Sequence, residues 1–258
     1  MTGGTAEAVG VVDPTGRYHA AVAELPLSTL AADRAAGAIV VTAGTAGWMD
    51  AALAASAAGA AAVLVADPAF VPAADLRGLE QRLGIPVIIE RPLLRPDVAR
   101  DAADGRAGAS PRALVADGGA SEMRLRSVTR DAVGWLRVLA GDGLAVTASS
   151  QGALALLQME AGIAAALSVT VTARPGPGWI RTQALGETIT DVEVDGSAAR
   201  VTTATGAGRL TSPIRFESSE RLALRRAVAV LTAPARPDDL RELLADTELV
   251  ERMLGLAP

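Results

Sequence analysis

Short apolar runs alternate with alanine-rich helical stretches over the first hundred residues, and this alternation constrains the fold more than any other feature. The apolar runs lie at 8–13, 37–44, 61–68 and 85–92, and helical stretches begin near Tyr18 and span 47–60, 71–84 and 95–105. A continuous apolar run is typical of a parallel strand buried on both faces. Strands that alternate with helices form a parallel sheet with crossover helices. The first part of the chain is therefore predicted to be parallel α/β.

The second half has a different pattern. A helix is predicted at 129–141, and strand-like segments separated by turn signals follow from 144 to 217, with further helices at 219–231 and 237–254. This order predicts an open, mostly antiparallel sheet with flanking helices. The Gly-, Ser- and Pro-containing segment 106–112 is interpreted as a linker, and Gly118–Ser121 as a turn or, less simply, an anion nest. We therefore expect two domains, 1–108 and 109–258.

Composition excludes several kinds of chemistry. The chain has no Cys, one His, and 24 basic residues that are all Arg, so it offers no thiolate nucleophile, no lysine Schiff base and no multi-histidine metal site. A net charge of −5 with scattered arginines disfavours nucleic acid as a partner. No apolar run approaches the ~18–20 residues of a membrane span. Residues 1–7 do not look like a signal peptide. We expect a cytoplasmic protein with no metal and no membrane contact.

The loop after the first apolar run reads Asp13-Pro14-Thr15-Gly16 and precedes the chain's only Tyr and only His, Tyr18 and His19. A glycine-rich phosphate loop occupies this position in dinucleotide-binding folds, because glycines let the backbone approach a diphosphate. Here only Gly16 is a glycine, Pro14 lacks an N–H, and Asp13 brings negative charge. We interpret the loop as the remnant of a cofactor loop.

The order of several motifs resembles the Gfo/Idh/MocA (glucose–fructose oxidoreductase and inositol dehydrogenase) family. The matching stretches are "GRYHAAVAE" (16–24), the central stretch 58–102, "SVTRDAVGWLRVLAG" (127–141) and "TELVERML" (247–254). The resemblance covers nearly the whole chain. It implies an N-terminal Rossmann-like dinucleotide-binding domain and a C-terminal sheet domain that carries substrate and subunit contacts.

The chain departs from the family pattern where the resemblance would place cofactor and catalytic groups. The segment between His19 and the run at 37–44 looks too short for a strand and a helix, so the strand that ends in the ribose-binding acid is expected to be missing. The family's catalytic Lys falls on Asp67, or in another register on Arg91. The Asp and His of the family's helix motif fall on Ser127 and Asp131.

Several side chains are candidates for a ligand site. They are His19, Thr42, Asp67, Glu90, Arg91, Arg130 and Asp131. His19 is a catalytic base or, more simply, a residue that caps or packs on the first helix. Asp67 and Glu90 are an acid–base pair or solvated carboxylates at strand ends. Arg91 and Arg130 hold an anionic ligand or form surface ion pairs. The three tryptophans are expected in the core rather than at a sugar.

The missing Lys and His favour a degenerate family member. It would be a small-molecule-binding or partner protein, without a cofactor and without dehydrogenase activity, associated with sugar or polyol metabolism. One alternative is an NAD(P)-dependent sugar or polyol oxidoreductase with an unusual cofactor site. Another is a sensory ligand-binding module. The strands at 153–159 and 163–171 carry few charges on either face, which predicts a homodimer through the C-terminal sheet.

Overall fold

The computed structural model describes residues 8–141, 143–150, 154–173, 176–196, 198–233 and 236–256. The expectation that Met1–Glu7 is not a signal peptide concerns residues outside these ranges. The strands are β1 (Val9–Val12), β2 (Thr29–Ala31), β3 (Ile39–Ala43), β4 (Ala62–Ala66), β5 (Val87–Glu90), β6 (Ala113–Ala120), β7 (Leu144–Ser150), β8 (Leu154–Met159), β9 (Ala164–Val171), β10 (Trp179–Leu185), β11 (Ile189–Asp195), β12 (Ala198–Thr205) and β13 (Gly208–Thr211). The helices are α1 (His19–Ala23), α2 (Trp48–Ala57), α3 (Ala73–Arg82), α4 (Pro96–Gly105), α5 (Leu125–Ala140), α6 (Ser219–Val230) and α7 (Asp239–Met253).

The chain folds as two units that interleave along the sequence. One unit holds the chain up to Ala69 together with Ala74–Arg91 and Glu217–Arg241, and the other holds the remaining segments. This division differs from the expected domains 1–108 and 109–258. The reason is α6, whose apolar residues join the core of the first sheet although they follow the second sheet in sequence. α4 packs on β12 of the second sheet.

The first unit contains a five-stranded parallel sheet in the order β2-β1-β3-β4-β5. The Rossmann-like parallel sheet predicted from the sequence is therefore confirmed, truncated to five strands. The strand expected to be missing is present as β2, so that expectation is wrong. A five-residue α1 and a three-residue β2 fit into the short segment because no helix follows β2 before the chain reaches β3.

The second unit contains an eight-stranded sheet in the order β13-β12-β11-β10-β6-β9-β8-β7, in which only β6 and β9 are parallel neighbours. The mostly antiparallel sheet is confirmed. The turn expected at Gly118–Ser121 is wrong, because Gly118 and Gly119 lie in β6 and pair on both sides. The strand-like pattern that was expected to continue to residue 217 stops earlier, because the last strand, β13, ends at Thr211.

Helix α5 covers one face of the second sheet and is buried along most of its length. It ends where Gly141 takes a φ of 66°, a left-handed conformation that glycine adopts without strain. Trp135 is buried on α5 and donates a hydrogen bond of 2.7 Å to the Leu93 carbonyl, and Trp48 is buried in the first unit, whereas Trp179 is only half-buried. The core role predicted for the first two is correct.

The opposite face of the second sheet has two chemically different halves. On the β8-β9-β6 side, Leu156 lies opposite Ala166, which lies opposite Val115, and Leu154 and Leu156 are about half exposed at 50% and 51%. The β10–β12 side carries ion pairs, including Arg181 with Asp191.

No helix among the described residues is long and apolar enough to cross a membrane.

Candidate functional site

The loop after β1 closes on the carboxylate of Asp13. One oxygen accepts hydrogen bonds from the Thr15 N–H (3.0 Å) and hydroxyl (2.5 Å), and the other accepts from the Tyr18 N–H (2.7 Å). The Arg17 N–H donates to the Thr15 hydroxyl, and Gly16 takes a φ of 71°. Asp13 therefore occupies the main-chain donors that a glycine-rich loop would leave for a phosphate.

A cavity of about 730 Å³ opens beside this loop in the first unit. β1, α1, β2 and their connecting loops form its walls, and most of the lining side chains are apolar, Val12, Val22 and Leu30 among them. The polar residues that line it include Asp13, Asp33 and His19. The volume and the apolar lining are those of a small-molecule site, which typically measures about 300–1,000 Å³.

Asp33 follows β2 closely, at the carboxyl end of the parallel sheet, and is exposed. Ligands of open α/β sheets bind at this edge, and an acid in this position binds a ribose hydroxyl in dinucleotide-binding folds. Asp33 is not among the site residues predicted from the sequence, because the strand that precedes it was expected to be missing. A signal was available, since the short run Thr29–Ala32 ends in this acid.

A buried polar cluster lies between the loop and α6. The Glu90 carboxylate, 2% exposed, accepts hydrogen bonds from the Tyr18 hydroxyl (2.6 Å) and from Arg17 (2.8 Å). Arg17 also pairs with Glu220 near the start of α6, at 3.0 Å. Glu90 is a site candidate from the sequence alone. Arg17, Tyr18 and Glu220 carry no predicted role, because only the fold brings them together with it.

Burial sets the ionisation of this cluster. It raises the pKa of Glu90, although the charge of Arg17 and the Tyr18 hydrogen bond pull that pKa down. Burial, followed by the charge of Glu90, raises the pKa of the Tyr18 hydroxyl. Glu90 is therefore neither the solvated carboxylate nor the ligand-facing acid that the sequence suggested. It ties the loop and α6 to the end of β5.

The ends of β3, β4 and β5 bring three predicted site residues onto neighbouring strands. The Asp67 N–H donates to the Glu90 carbonyl at 2.9 Å, and Asp67 takes a φ of 52°, which a residue other than glycine seldom adopts. Thr42 is buried near the end of β3, and its hydroxyl has no hydrogen-bond partner among the described residues. Strained backbone of this kind clusters at functional sites. Half-buried Asp67 is thus a candidate to face a ligand.

The predicted arginines are buried, so their interpretation as surface ion pairs is wrong. Arg91 directly follows β5, is the last residue of the segment Ala74–Arg91 of the first unit, and is 6% exposed. Arg130 and Asp131 lie on α5 of the second unit, both almost fully buried, and pair at 3.3 Å. Among the residues that the structure describes, no three His, Cys, Asp or Glu side chains group to hold a metal ion.

The fold is shared with structurally characterised oxidoreductases. KijD10, a 3-ketoreductase from Actinomadura kijaniata, is similar with a TM-score of 0.68 at 11% sequence identity, over 95% of this chain and 96% of that one. UDP-N-acetylglucosamine 3-dehydrogenase GnnA from Acidithiobacillus ferrooxidans is similar with a TM-score of 0.69 at 14% identity, over 97% of both chains. No protein-family model and no curated protein matches the sequence.

These similarities establish a two-part fold, a Rossmann-like sheet followed by a large mostly antiparallel sheet. They also correct one expectation. No cofactor was expected from the sequence, and that expectation is wrong for this fold, because KijD10 was crystallised in complex with NADP.

Proposed function

We propose that the chain is an NAD(P)-dependent oxidoreductase of the Gfo/Idh/MocA type that acts on a sugar or polyol. The observation that carries the proposal is the cavity that runs along β2 and α1 and reaches the carboxyl ends of β1 and β2 at Asp13 and Asp33. GnnA supports the substrate class, since it is a dehydrogenase of UDP-N-acetylglucosamine, and KijD10, a 3-ketoreductase, supports the reaction type.

The cavity fits the adenosine half of a dinucleotide. Val12, Val22 and Leu30 offer an apolar surface for the adenine ring, and Asp33 offers a carboxylate that accepts hydrogen bonds from ribose hydroxyls. Dinucleotide-binding folds place a ribose-binding acid after the second strand, and Asp33 stands at that position despite the shortened segment.

The diphosphate would be held by a different group from the usual loop N–H donors. Asp13 accepts hydrogen bonds from the Thr15 and Tyr18 N–H groups, so those donors are occupied. His19 lines the same cavity and is exposed, and its imidazole can donate a hydrogen bond to a phosphate oxygen. We assign the diphosphate contact to His19.

A bound nicotinamide dinucleotide supplies hydride transfer. The chain itself must then hold or move a proton at the substrate oxygen. Glu90 is sequestered by Arg17 and Tyr18, so the carboxylate at the strand ends that is suited to this work is Asp67.

Fluorescence titration with NADH and NADPH tests the proposal. At least one should bind with micromolar or tighter affinity, about 8 kcal/mol of binding free energy. His19→Ala should weaken binding about tenfold by removing a phosphate contact, and His19→Gln, which retains a donor, should weaken it less. Adenosine affinity should be the same in all three proteins.

The reaction is then followed as NAD(P)⁺ reduction with a panel of free sugars, nucleotide sugars and polyols. Turnover of one class identifies the substrate. Dinucleotide binding without turnover of any of them would favour the alternative, a binding protein without dehydrogenase activity. Failure of both dinucleotides to bind would refute the proposal.

We also propose that the chain is a homodimer that pairs through the apolar half of the open face, around Leu154, Leu156, Ala166 and Val115. Exposed apolar surface of this kind is typical of an interface. A two-fold axis would place the same strands of both copies against each other.

A further inference from the structure

We propose that the second unit carries a ligand site of its own, which takes a small neutral polyhydroxyl compound, a monosaccharide or an alditol. The site is a cavity of about 410 Å³ bounded by α4, β11, β12 and the segment that follows β13. The described residues that line it all belong to the second unit, and none of them lines the cavity beside β2. The inference therefore goes beyond the proposed function and does not require a bound dinucleotide.

The strand β13 stops pairing with β12 at the edge of this cavity. The Ser212 N–H donates to the Val201 carbonyl at 2.9 Å, and the next residue, Pro213, has no N–H with which to continue the ladder. The chain then leaves the sheet, and the Arg215 Nε donates to Asp101 on α4 at 3.1 Å. The segment after β13 therefore connects the sheet edge to α4 and forms one wall of the cavity.

The edge of β12 that borders the cavity offers both a donor and an acceptor. Hydrogen bonding alternates along an antiparallel strand, so the main-chain groups of Ala199 point to the same edge as those of Val201. In a continued ladder they would pair with Ile214, but no main-chain hydrogen bond joins these two residues in the part of the chain that the structure describes. Ala199 lines the cavity, so a ligand can reach its N–H and C=O. A hydroxyl group, which both donates and accepts, can use either one.

The arginines of the lining are already paired with carboxylates, which favours a neutral ligand. Arg95, 6% exposed, donates to Asp97 at 2.7 Å, Arg200 pairs with Glu193, and the arginine of the wall pairs with α4 as described above. An anionic ligand would have to break such a pair to gain a guanidinium partner of its own, whereas hydroxyl groups can share these donors and acceptors without disturbing the charge balance. Asp195 also lines the cavity but is exposed, so water screens its attraction for a cation.

Aliphatic side chains supply the rest of the contact surface. Val98 on α4 and Ile214 on the wall line the cavity, and their CH groups suit the C–H surface of a sugar. The hydroxyl-bearing residues Thr211 and Ser212 also line it. The volume lies in the lower part of the range of about 300–1,000 Å³ that is typical of small-molecule sites, which suits a single sugar unit better than a nucleotide sugar.

Titration calorimetry on the wild-type protein, with no dinucleotide present, tests the inference. The neutral probes are D-glucose, D-mannose and D-glucitol, and the charged analogues are D-gluconate and D-glucosamine. At least one neutral probe should bind with a dissociation constant of about 1 mM or below. Both charged analogues should bind more weakly than that probe, because neither finds an unpaired partner inside the cavity.

Two variants locate the site. Ala198 is exposed and lines the cavity, so the indole of Ala198→Trp should fill the space of the ligand and weaken binding at least about tenfold. Ile214→Ala, also at an exposed position, should weaken it several-fold by removing apolar contact. The matched controls are Ala207→Trp and Leu210→Ala, at exposed positions outside the described lining, and both should keep the wild-type affinity. Equal melting temperatures without ligand would verify that all four variants fold.

The outcomes separate this inference from the proposed function. The inference is overturned if no neutral probe binds, if gluconate or glucosamine binds more tightly than the neutral probes, or if Ala198→Trp and Ile214→Ala both keep the wild-type affinity. Titrations of NADH and NADPH into Ala198→Trp should match those of the wild type, and a changed dinucleotide affinity there would contradict the independence of the two cavities. Failure of both dinucleotides to bind the wild type would refute the proposed function alone.

Discussion

The Tyr18 hydroxyl donates a 2.6 Å hydrogen bond to Glu90 across 72 residues of sequence, and both side chains are buried. The contact joins the loop after β1 to the end of β5. A hydrogen bond to a buried carboxylate stabilises a protein more than one between neutral groups, because the acceptor is charged and no water molecule competes for it.

Removing this hydroxyl should destabilise the first unit. Tyr18→Phe is expected to lower the free energy of unfolding by about 1.5–3 kcal/mol, measured by urea denaturation. Glu220→Gln is the matched control, because it removes only the partly exposed partner of Arg17 and should cost less than about 1 kcal/mol. Equal losses in the two variants would contradict a special role for the buried contact.

The pH dependence of stability should reveal the ionisation of Glu90. Burial raises the pKa of Glu90 above its ordinary value of 4.5 in the folded state, with Arg17 and Tyr18 only partly offsetting it. A group with a raised pKa contributes stability that is fully present below 4.5 and is lost as the pH rises through the folded-state pKa. The stability of the wild type relative to Glu90→Gln should therefore fall as the pH rises from 4 and then level off. A difference that grows with pH would refute this.

Asp97 on α4 should behave in the opposite way. Burial raises its pKa, but the hydrogen bond and charge of Arg95 outweigh burial and hold the pKa below its ordinary value of 3.8. Its contribution is present above pH 3.8 and lost as the pH falls through the folded-state pKa. The advantage of the wild type over Asp97→Asn in acid titrations monitored by circular dichroism should shrink below that pH. An advantage that is unchanged there would count against the ion pair.

Gly44 should not tolerate a side chain. A Cβ at this position would lie 2.4 Å from the carbonyl oxygens of Ala66 and Asp67, and backbone atoms cannot move aside as a flexible side chain would. Gly44→Ala should cost about 1–3 kcal/mol or more in urea denaturation. Gly78→Ala on α3, where a Cβ meets nothing within 4 Å, should be neutral or stabilising by up to about 1 kcal/mol. The close approach would be disproved if both variants were equally stable.

Asp67 should be required for turnover rather than for cofactor binding. Asp67→Asn keeps the size of the side chain and tolerates the φ of 52°, since asparagine adopts this conformation more readily than most residues. Loss of proton transfer should lower kcat about 10²- to 10⁴-fold with an unchanged affinity for NADH. Asp75→Asn on α3 is the control for a lost negative charge. A kcat unchanged in Asp67→Asn would remove Asp67 from the reaction.

A charge on the open face should separate the proposed dimer. Light scattering should give twice the 26.1 kDa chain mass for the wild type and the single mass for Leu156→Asp. Leu210→Asp, exposed on the edge strand β13, should remain dimeric. Val169 on β9 is 1% exposed and belongs to the covered face, so a charge there would disrupt the core instead. A monomeric wild type would refute the dimer.

Local pattern was sufficient to predict the two kinds of sheet, most of their strands and most helices. β3 and β4 are buried at nearly every position, and the run of apolar residues encodes this directly. Gly141 ends α5 as the sequence indicated, because a left-handed residue stops a helix wherever the chain lies in the fold. Such features depend on neighbours in sequence and need no knowledge of distant contacts.

Only the tertiary structure decided which distant residues meet. Three features depend on chain segments that no local periodicity connects. They are the pairing of Tyr18 with Glu90, the packing of α6 on the first sheet and the cavity that Asp33 lines. β6 was missed because glycines, which disfavour strands, are held there by pairing on both sides. Strand pairing and burial outweigh local preference once the chain is compact, which is why the arrangement of this site could not be predicted from the sequence alone.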